Sequence, residues 1–92
     1  MFDAVLQSHP NDADAHTGLG LVAYQQQDFP RALRHFEAAA RQRPDDAAAH
    51  LNLAMTLERL DSKAEALPHW QQARERTNDE ETREAIGRHL RP

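Results

Sequence analysis

The sequence predicts an all-α protein, a stack of antiparallel helix pairs with about six helices. The first reason is that the chain nearly repeats itself after 34 residues. The second is that apolar residues within each unit recur at a helical spacing and do not alternate. The third is composition: the chain has only 3 glycines among 92 residues, and good helix formers such as Ala, Leu, Gln, Glu and Arg dominate. We expect residues 1–92 to form a single domain.

The internal repeat is visible when residues 11–44 are aligned with residues 45–78. Chance alone would give about three identities in an alanine-rich chain. The identities observed are Asp12/Asp46, Ala13/Ala47, Ala15/Ala49, His16/His50, Leu19/Leu53, Ala32/Ala66, Leu33/Leu67, His35/His69 and Ala39/Ala73. Residues 1–10 fit the tail of a preceding repeat, because Phe2 and Pro10 precede Phe36 and Pro44 by the same interval. Residues 79–92 fit a capping or partial-repeat helix.

Capping residues and prolines set the expected helix boundaries. We predict helices near residues 2–8, 12–26, 30–42, 46–60, 63–76 and 79–90. The expected starts are Asp12 and Asp46 as N-caps, Asp28 followed by Pro30, and two capping boxes, Ser62 with Glu65 and Asn78 with Glu81. Pro68 falls inside a predicted helix and has no N–H to donate, so we expect a kink or a widened turn there without a break.

A helix–turn–helix unit of 34 residues resembles the tetratricopeptide repeat, whose pattern is W-x2-L-G-x2-Y, then A-x3-F, then P. The first unit matches it with Leu19-Gly20, Ala32, Phe36 and Pro44, and the second with Leu53-Ala54, Ala66 and Trp70. His16 and His50 stand in the tryptophan place, where we expect them to pack. The resemblance implies a right-handed superhelix of two full repeats and flanking half-repeats.

The same resemblance implies a function and a surface for it. Tetratricopeptide repeats bind peptides on their concave face, which the first helix of each unit lines. The corresponding residues are Asp14, Thr17, Leu21, Tyr24 and Gln25, followed by Ala48, Leu51, Met55, Glu58 and Arg59. We therefore expect a non-catalytic scaffold or adaptor module within a larger protein, with a protein or peptide partner that the sequence does not identify. The alternative for Leu21 and Leu51 is packing against neighbouring helices.

A second hypothesis is self-assembly through the terminal helices. The predicted helix near residues 2–8 would pair with a first-type helix, and residues 79–90 with a second-type helix. Two chains could complete each other and form a homodimer. The candidate residues are Phe2, Val5, Leu6, Ile86 and Leu90.

Other classes of function find little support. The net charge is −4 and Lys and Arg are scattered, which disfavours nucleic acid. The sequence contains no cysteine, nucleophile elbow or phosphate-binding glycine loop, so we expect no enzyme and no cofactor. We expect no metal site, because His16/His50 and His35/His69 are each one repeat apart. No apolar run reaches a membrane span and no secretory signal is visible, while the compartment stays open.

Overall fold

A computed structural model describes residues 12–90 of the chain, and this part is built from helices and their short connections. Its helices are α1 (Ala13–Gln25), α2 (Phe29–Gln42), α3 (Ala47–Arg59), α4 (Lys63–Arg76) and α5 (Glu80–Leu90). The all-α stack is therefore confirmed, and the boundaries lie within one residue of those expected. The predicted helix near residues 2–8 lies outside the described residues.

Aspartates begin the first three helices as the sequence predicts. Asp12 Oδ1 accepts a hydrogen bond from the Ala15 backbone N–H at 2.9 Å, and Asp46 Oδ1 accepts one from the Ala48 N–H at 3.0 Å. Asp28 precedes α2, where Pro30 occupies the first turn. A carboxylate at this place satisfies backbone N–H groups that have no partner inside the helix.

Both expected capping boxes are wrong. Ser62 does precede α4, but its side chain makes no capping hydrogen bond. The last helix is capped by Asp79 in place of Asn78, because Asp79 Oδ1 accepts from the Glu81 N–H at 3.2 Å and Oδ2 from the Thr82 hydroxyl at 2.6 Å. An ionised carboxylate is the stronger acceptor, so the helix begins one residue later than expected.

The turn inside each helical hairpin has the same backbone conformation. Gln27 and Asp61, which are one repeat apart, have positive φ angles of 63° and 59°. Immediately after them, the backbone N–H groups of Asp28 and Ser62 donate 2.8 Å hydrogen bonds to the carbonyls of Ala23 and Leu57. This is the left-handed ending that commonly terminates a helix, and here it is made without glycine.

Within residues 12–90 the core contains two neighbouring clusters, one centred on each hairpin. The first contains Ala23, Ala32, Phe36 and Leu53, and the second contains Ala54, Leu57, Ala66, Trp70, Ala73 and Ile86. Alanines at the helix crossings let one large aromatic residue fill the centre of each cluster. Leu33 packs against both clusters, so the hairpins share a continuous interior.

A close approach between α1 and α2 explains why Gly20 is a glycine. A Cβ atom built at Gly20 would lie 2.5 Å from a ring carbon of Phe36. The same construction at Gly87 in α5 meets nothing within 4 Å. Gly20 therefore admits the Phe36 ring, whereas no such contact among residues 12–90 explains Gly87.

Helix α4 continues through Pro68 without a break, as the sequence predicts. Proline has no N–H, so the carbonyl of Ala64 loses its bond within the helix. Both residues are exposed, and water can satisfy that carbonyl. The expected kink or widened turn stays a prediction.

Candidate protein-binding surface

The residues predicted to bind a partner lie at equivalent places on α1 and α3. Each residue of the α3 set follows its α1 counterpart by one repeat. The first four members of each set are three or four residues apart and the fifth directly follows the fourth, so each set follows one side of its helix. On α1 these are Asp14, Thr17, Leu21, Tyr24 and Gln25, and on α3 they are Ala48, Leu51, Met55, Glu58 and Arg59.

Two of these residues expose large apolar side chains at matching positions. Leu21 is 46% exposed and Met55 is 36% exposed. Val22, which the sequence analysis did not select, is 43% exposed, whereas its equivalent Thr56 is fully buried and donates its hydroxyl to the Asn52 carbonyl at 2.8 Å. The adjacent Leu-Val pair was the only sequence signal for Val22. Val22 therefore lies on a different side of α1, and we call Leu21 and Met55 the apolar patch.

Phe29 connects two of the predicted residues across helices. Its ring meets the Tyr24 ring edge-on at a centroid distance of 5.1 Å, and the Arg59 guanidinium carbon lies 5.0 Å from its centroid. Arginine over an aromatic face is attracted by the ring quadrupole. Tyr24 and Arg59 therefore belong to one aromatic–cation cluster, in which Phe29 was not predicted as a site residue.

Asp14 is already engaged in an ion pair. Its Oδ1 lies 2.8 Å from Nη1 of Arg43, which follows the end of α2. The hydrogen bond and the charge of Asp14 raise the pKa of Arg43 above its usual value. Both side chains are mostly exposed, so solvent screens the pair and a partner's charge could compete for either group.

Glu58 is partly buried against the last two helices. Its Oε2 accepts hydrogen bonds from Trp70 Nε1 at 2.9 Å and from His89 Nε2 at 2.7 Å, and the Trp70 and His89 rings lie 4.4 Å apart. Burial raises the pKa of Glu58, but these hydrogen bonds and the charge of His89 outweigh it and leave the pKa below its usual value. We call Glu58, Trp70 and His89 the clasp, because it fastens α5 to α3 and α4.

Leu51 also faces α5. It is half-buried and lines a cavity of about 350 Å³ together with Trp70, Thr82, Ala85, Ile86 and His89. Leu51 and Glu58 thus contact the last helix of the chain itself. For Leu51 this agrees with the alternative that it packs against a neighbouring helix. The exposed part of the predicted surface is therefore centred on Leu21 and Met55.

The residues suggested for self-association fall into two groups. Phe2, Val5 and Leu6 lie outside the described residues. Ile86 is only 2% exposed and belongs to the second core cluster, against which Leu90 packs. The burial of Ile86 removes it from the surface as long as α5 stays docked.

The histidines form pairs that the sequence analysis did not foresee. His16 faces His35 with their Nδ1 atoms 3.1 Å apart, and His50 faces His69 at 3.0 Å. Each pair joins the two helices of one hairpin, and the ring centroids lie 5.4 and 5.3 Å apart. Burial and the neighbouring His50 lower the pKa of His69 despite the opposing charge of Glu37. The sequence analysis considered only histidines one repeat apart, such as His16 and His50, whereas these contacts lie within a repeat.

Residues 12–90 show neither a larger cluster of metal ligands nor a membrane-spanning helix. No group of three or more His, Cys, Asp or Glu side chains comes together there to hold a metal ion. In the same range, no helix combines the length and the apolar character that crossing a membrane requires.

The architecture defines a solenoid of helical hairpins repeated every 34 residues, and a family comparison identifies it. The family model described as tetratricopeptide repeat matches residues 1–33 and 21–81. The chain belongs to the tetratricopeptide repeat family. A search of curated proteins finds no match to it. Repeats of this family generally mediate protein–protein interactions and are typically not catalytic, which gives the class of function.

Proposed function

We propose that this chain is a non-catalytic binding module that accepts a peptide or helix of another protein on the face formed by α1 and α3. The observation that carries the proposal is the apolar patch, because Leu21 and Met55 are exposed at the same position of successive repeats. Each could contact a separate apolar side chain of one bound segment. An amphipathic helix or an extended peptide offers apolar side chains at such spacings.

The surroundings of the apolar patch supply polar contacts. Gln25 is exposed, and Arg59 and Asp14 add one charge of each sign. Apolar anchors with a polar rim are the usual composition of a protein-binding surface. A bound segment would therefore carry two apolar side chains and polar groups beside them.

The test uses a display library of peptides selected on the purified chain. We expect selected peptides to share two apolar anchors. Their affinity should fall at least about tenfold on Leu21→Glu or Met55→Glu, since burying a charge without a partner is costly. The variants should still fold, because both positions are exposed.

Leu67→Glu is the matched control. Leu67 is 46% exposed, as Leu21 is, but lies on α4 at the equivalent of Leu33. Binding that survives Leu21→Glu and Met55→Glu, or is lost only on Leu67→Glu, would remove the function from the α1–α3 face.

A second candidate function is self-assembly, which we propose on the strength of Gly87. A cavity of about 580 Å³ lies beside it, lined by Arg74, Arg83, Glu84 and Arg88. Gly20 in α1 faces a ring of the following helix, whereas Gly87 faces open space within the described residues. The helix predicted near residues 2–8 of a second chain could pack against α5 on this side. Sedimentation equilibrium should then show a dimer that Phe2→Asp dissociates, and a chain that stays monomeric at all concentrations contradicts this function.

A further inference from the structure

The two histidine pairs have the same geometry in both hairpins. His16 and His35, like His50 and His69, are separated by 19 residues and bring their Nδ1 atoms to 3.1 and 3.0 Å. In each pair one ring comes from the first helix and the other from the second. The Nδ1–Nδ1 contact is therefore a property of the repeat.

The Pro44 carbonyl fixes the tautomer of His50. His50 Nε2 lies 2.7 Å from the carbonyl oxygen of Pro44, and since that oxygen only accepts hydrogen bonds, Nε2 carries the proton. In the neutral ring, Nδ1 of His50 then presents its lone pair. His69 Nδ1–H donates to that lone pair across 3.0 Å.

These features match those of an imidazole pair that binds a metal. Metal–nitrogen bonds of ~2.0–2.1 Å to two atoms 3.0 Å apart would subtend an angle of about 95° at the ion. That angle is close to the right angle between neighbouring positions of a square-planar or octahedral ion, and a tetrahedral ion would need the two nitrogens slightly farther apart. A metal-binding histidine usually donates its other ring N–H to a carbonyl or carboxylate, as His50 does to Pro44.

We propose that His50 with His69, and His16 with His35, each bind one divalent transition-metal ion through their Nδ1 atoms. Imidazole suits Zn²⁺, Ni²⁺ and Cu²⁺. When the ion binds, the proton on Nδ1 of His69 moves to Nε2, so that the Nδ1 lone pairs of both rings can bind the ion beside the line that joins them. Each site has two protein ligands, and water fills the remaining positions. The bound ion links the two helices of a hairpin. This inference is independent of the α1–α3 face.

The test is calorimetric titration of the full chain with Ni²⁺ and Zn²⁺, with Mg²⁺ as a control because it prefers oxygen ligands. We expect two transition-metal ions per chain and no binding of Mg²⁺. His69→Asn should reduce the number to one, and His35→Asn combined with His69→Asn to zero. Asparagine keeps an N–H group that can donate to the partner ring but does not replace the imidazole ligand. Circular dichroism of each variant checks that the fold is kept.

His89→Asn is the matched control, because His89 lies beside the carboxylate of Glu58 and could bind metal there. We expect it to leave two ions per chain. Imidazole nitrogen spectra with Zn²⁺ should show a shift at Nδ1 of His50 and His69. Unchanged binding in the double variant, loss on His89→Asn, or a shift at Nε2 of His50 would each overturn the proposal.

Discussion

The two hairpins fill the same crossing with different pairs of residues. In α1–α2, Gly20 faces Phe36, and in α3–α4 the equivalent pair is Ala54 and Trp70. A methyl group at Gly20 would overlap Phe36, yet Ala54 is fully buried in the cluster that contains Trp70. The Trp70 side chain also reaches Glu58, to which its Nε1 donates. The small and the aromatic residue at this crossing are therefore matched in size in each hairpin.

The largest expected effect on stability comes from removing the Phe36 ring from the pair in α1–α2. Phe36→Ala should lower the free energy of unfolding by ~3–5 kcal/mol, since Phe36 is almost fully buried and a cavity would remain. A two-cluster domain has little stability to spare, so the variant should be largely unfolded at 37 °C. Urea denaturation followed by circular dichroism measures it. A cooperative transition near the parent midpoint would contradict the packing described for α1–α2.

Substitution by alanine should have opposite effects on stability at Gly20 and at Gly87. Gly20→Ala should cost ~1–3 kcal/mol, because the new Cβ would meet the Phe36 ring. Gly87→Ala is the matched control and should stabilise the chain by ~0.5–1 kcal/mol, since alanine favours a helix and nothing lies within 4 Å. Phe36→Leu should recover part of the loss caused by Gly20→Ala. Thermal unfolding that ranks the two alanine variants equally would refute the close approach at Gly20.

The clasp should give the second hairpin a sensitivity to acid. Glu58 has a lowered pKa in the folded chain, so its contribution is present above the unfolded value of 4.5 and is lost as the pH falls through the folded value. Glu58→Gln should cost ~1–2 kcal/mol at pH 7, and this cost should decrease only as the pH falls below about 4.5 towards 3. Melting temperatures of both proteins between pH 7 and pH 3 measure this. Parallel curves would show that the carboxylate charge does not stabilise α5. Tyr24 occupies the equivalent place in the first hairpin, which has no such carboxylate.

The smallest expected effect lies in the hairpin turns. Gln27→Gly should stabilise the chain by about 0.5–1 kcal/mol, because glycine adopts a positive φ without strain. Asp61→Gly should gain less, since aspartate tolerates this conformation better than glutamine does. Gln26→Gly is the control, and it should destabilise because Gln26 has a φ of −80°. Chemical denaturation in which Asp61→Gly gains more than Gln27→Gly would reverse the ranking.

Local patterns were enough to predict the helices. Asp12, Asp28 and Asp46 mark helix starts by bonding to residues two or three positions away, and the 34-residue spacing placed Phe36 and Trp70 in the core. The wrong prediction at Ser62 is also local. Ser62 does lie at the N-cap position, but its hydroxyl makes no capping hydrogen bond.

Contacts between helices were not visible in the sequence. Glu58 and His89 are 31 residues apart, and the histidines of each pair are 19 apart, so neither spacing coincides with the repeat. Phe29 joins Tyr24 to Arg59 only after three helices have come together. Equivalence between repeats located the candidate surface, but it could not tell that Glu58 would face the chain and Met55 would face solvent.

Leu33 has a consequence for how the molecule loses its structure. It contacts both core clusters, and so it couples the folding of neighbouring units. In a linear array such nearest-neighbour coupling decides whether units open one at a time or together. A smaller side chain at Leu33 would weaken the coupling and let one hairpin unfold while the other persists. In amide hydrogen exchange, α1–α2 and α3–α4 would then show separate opening free energies.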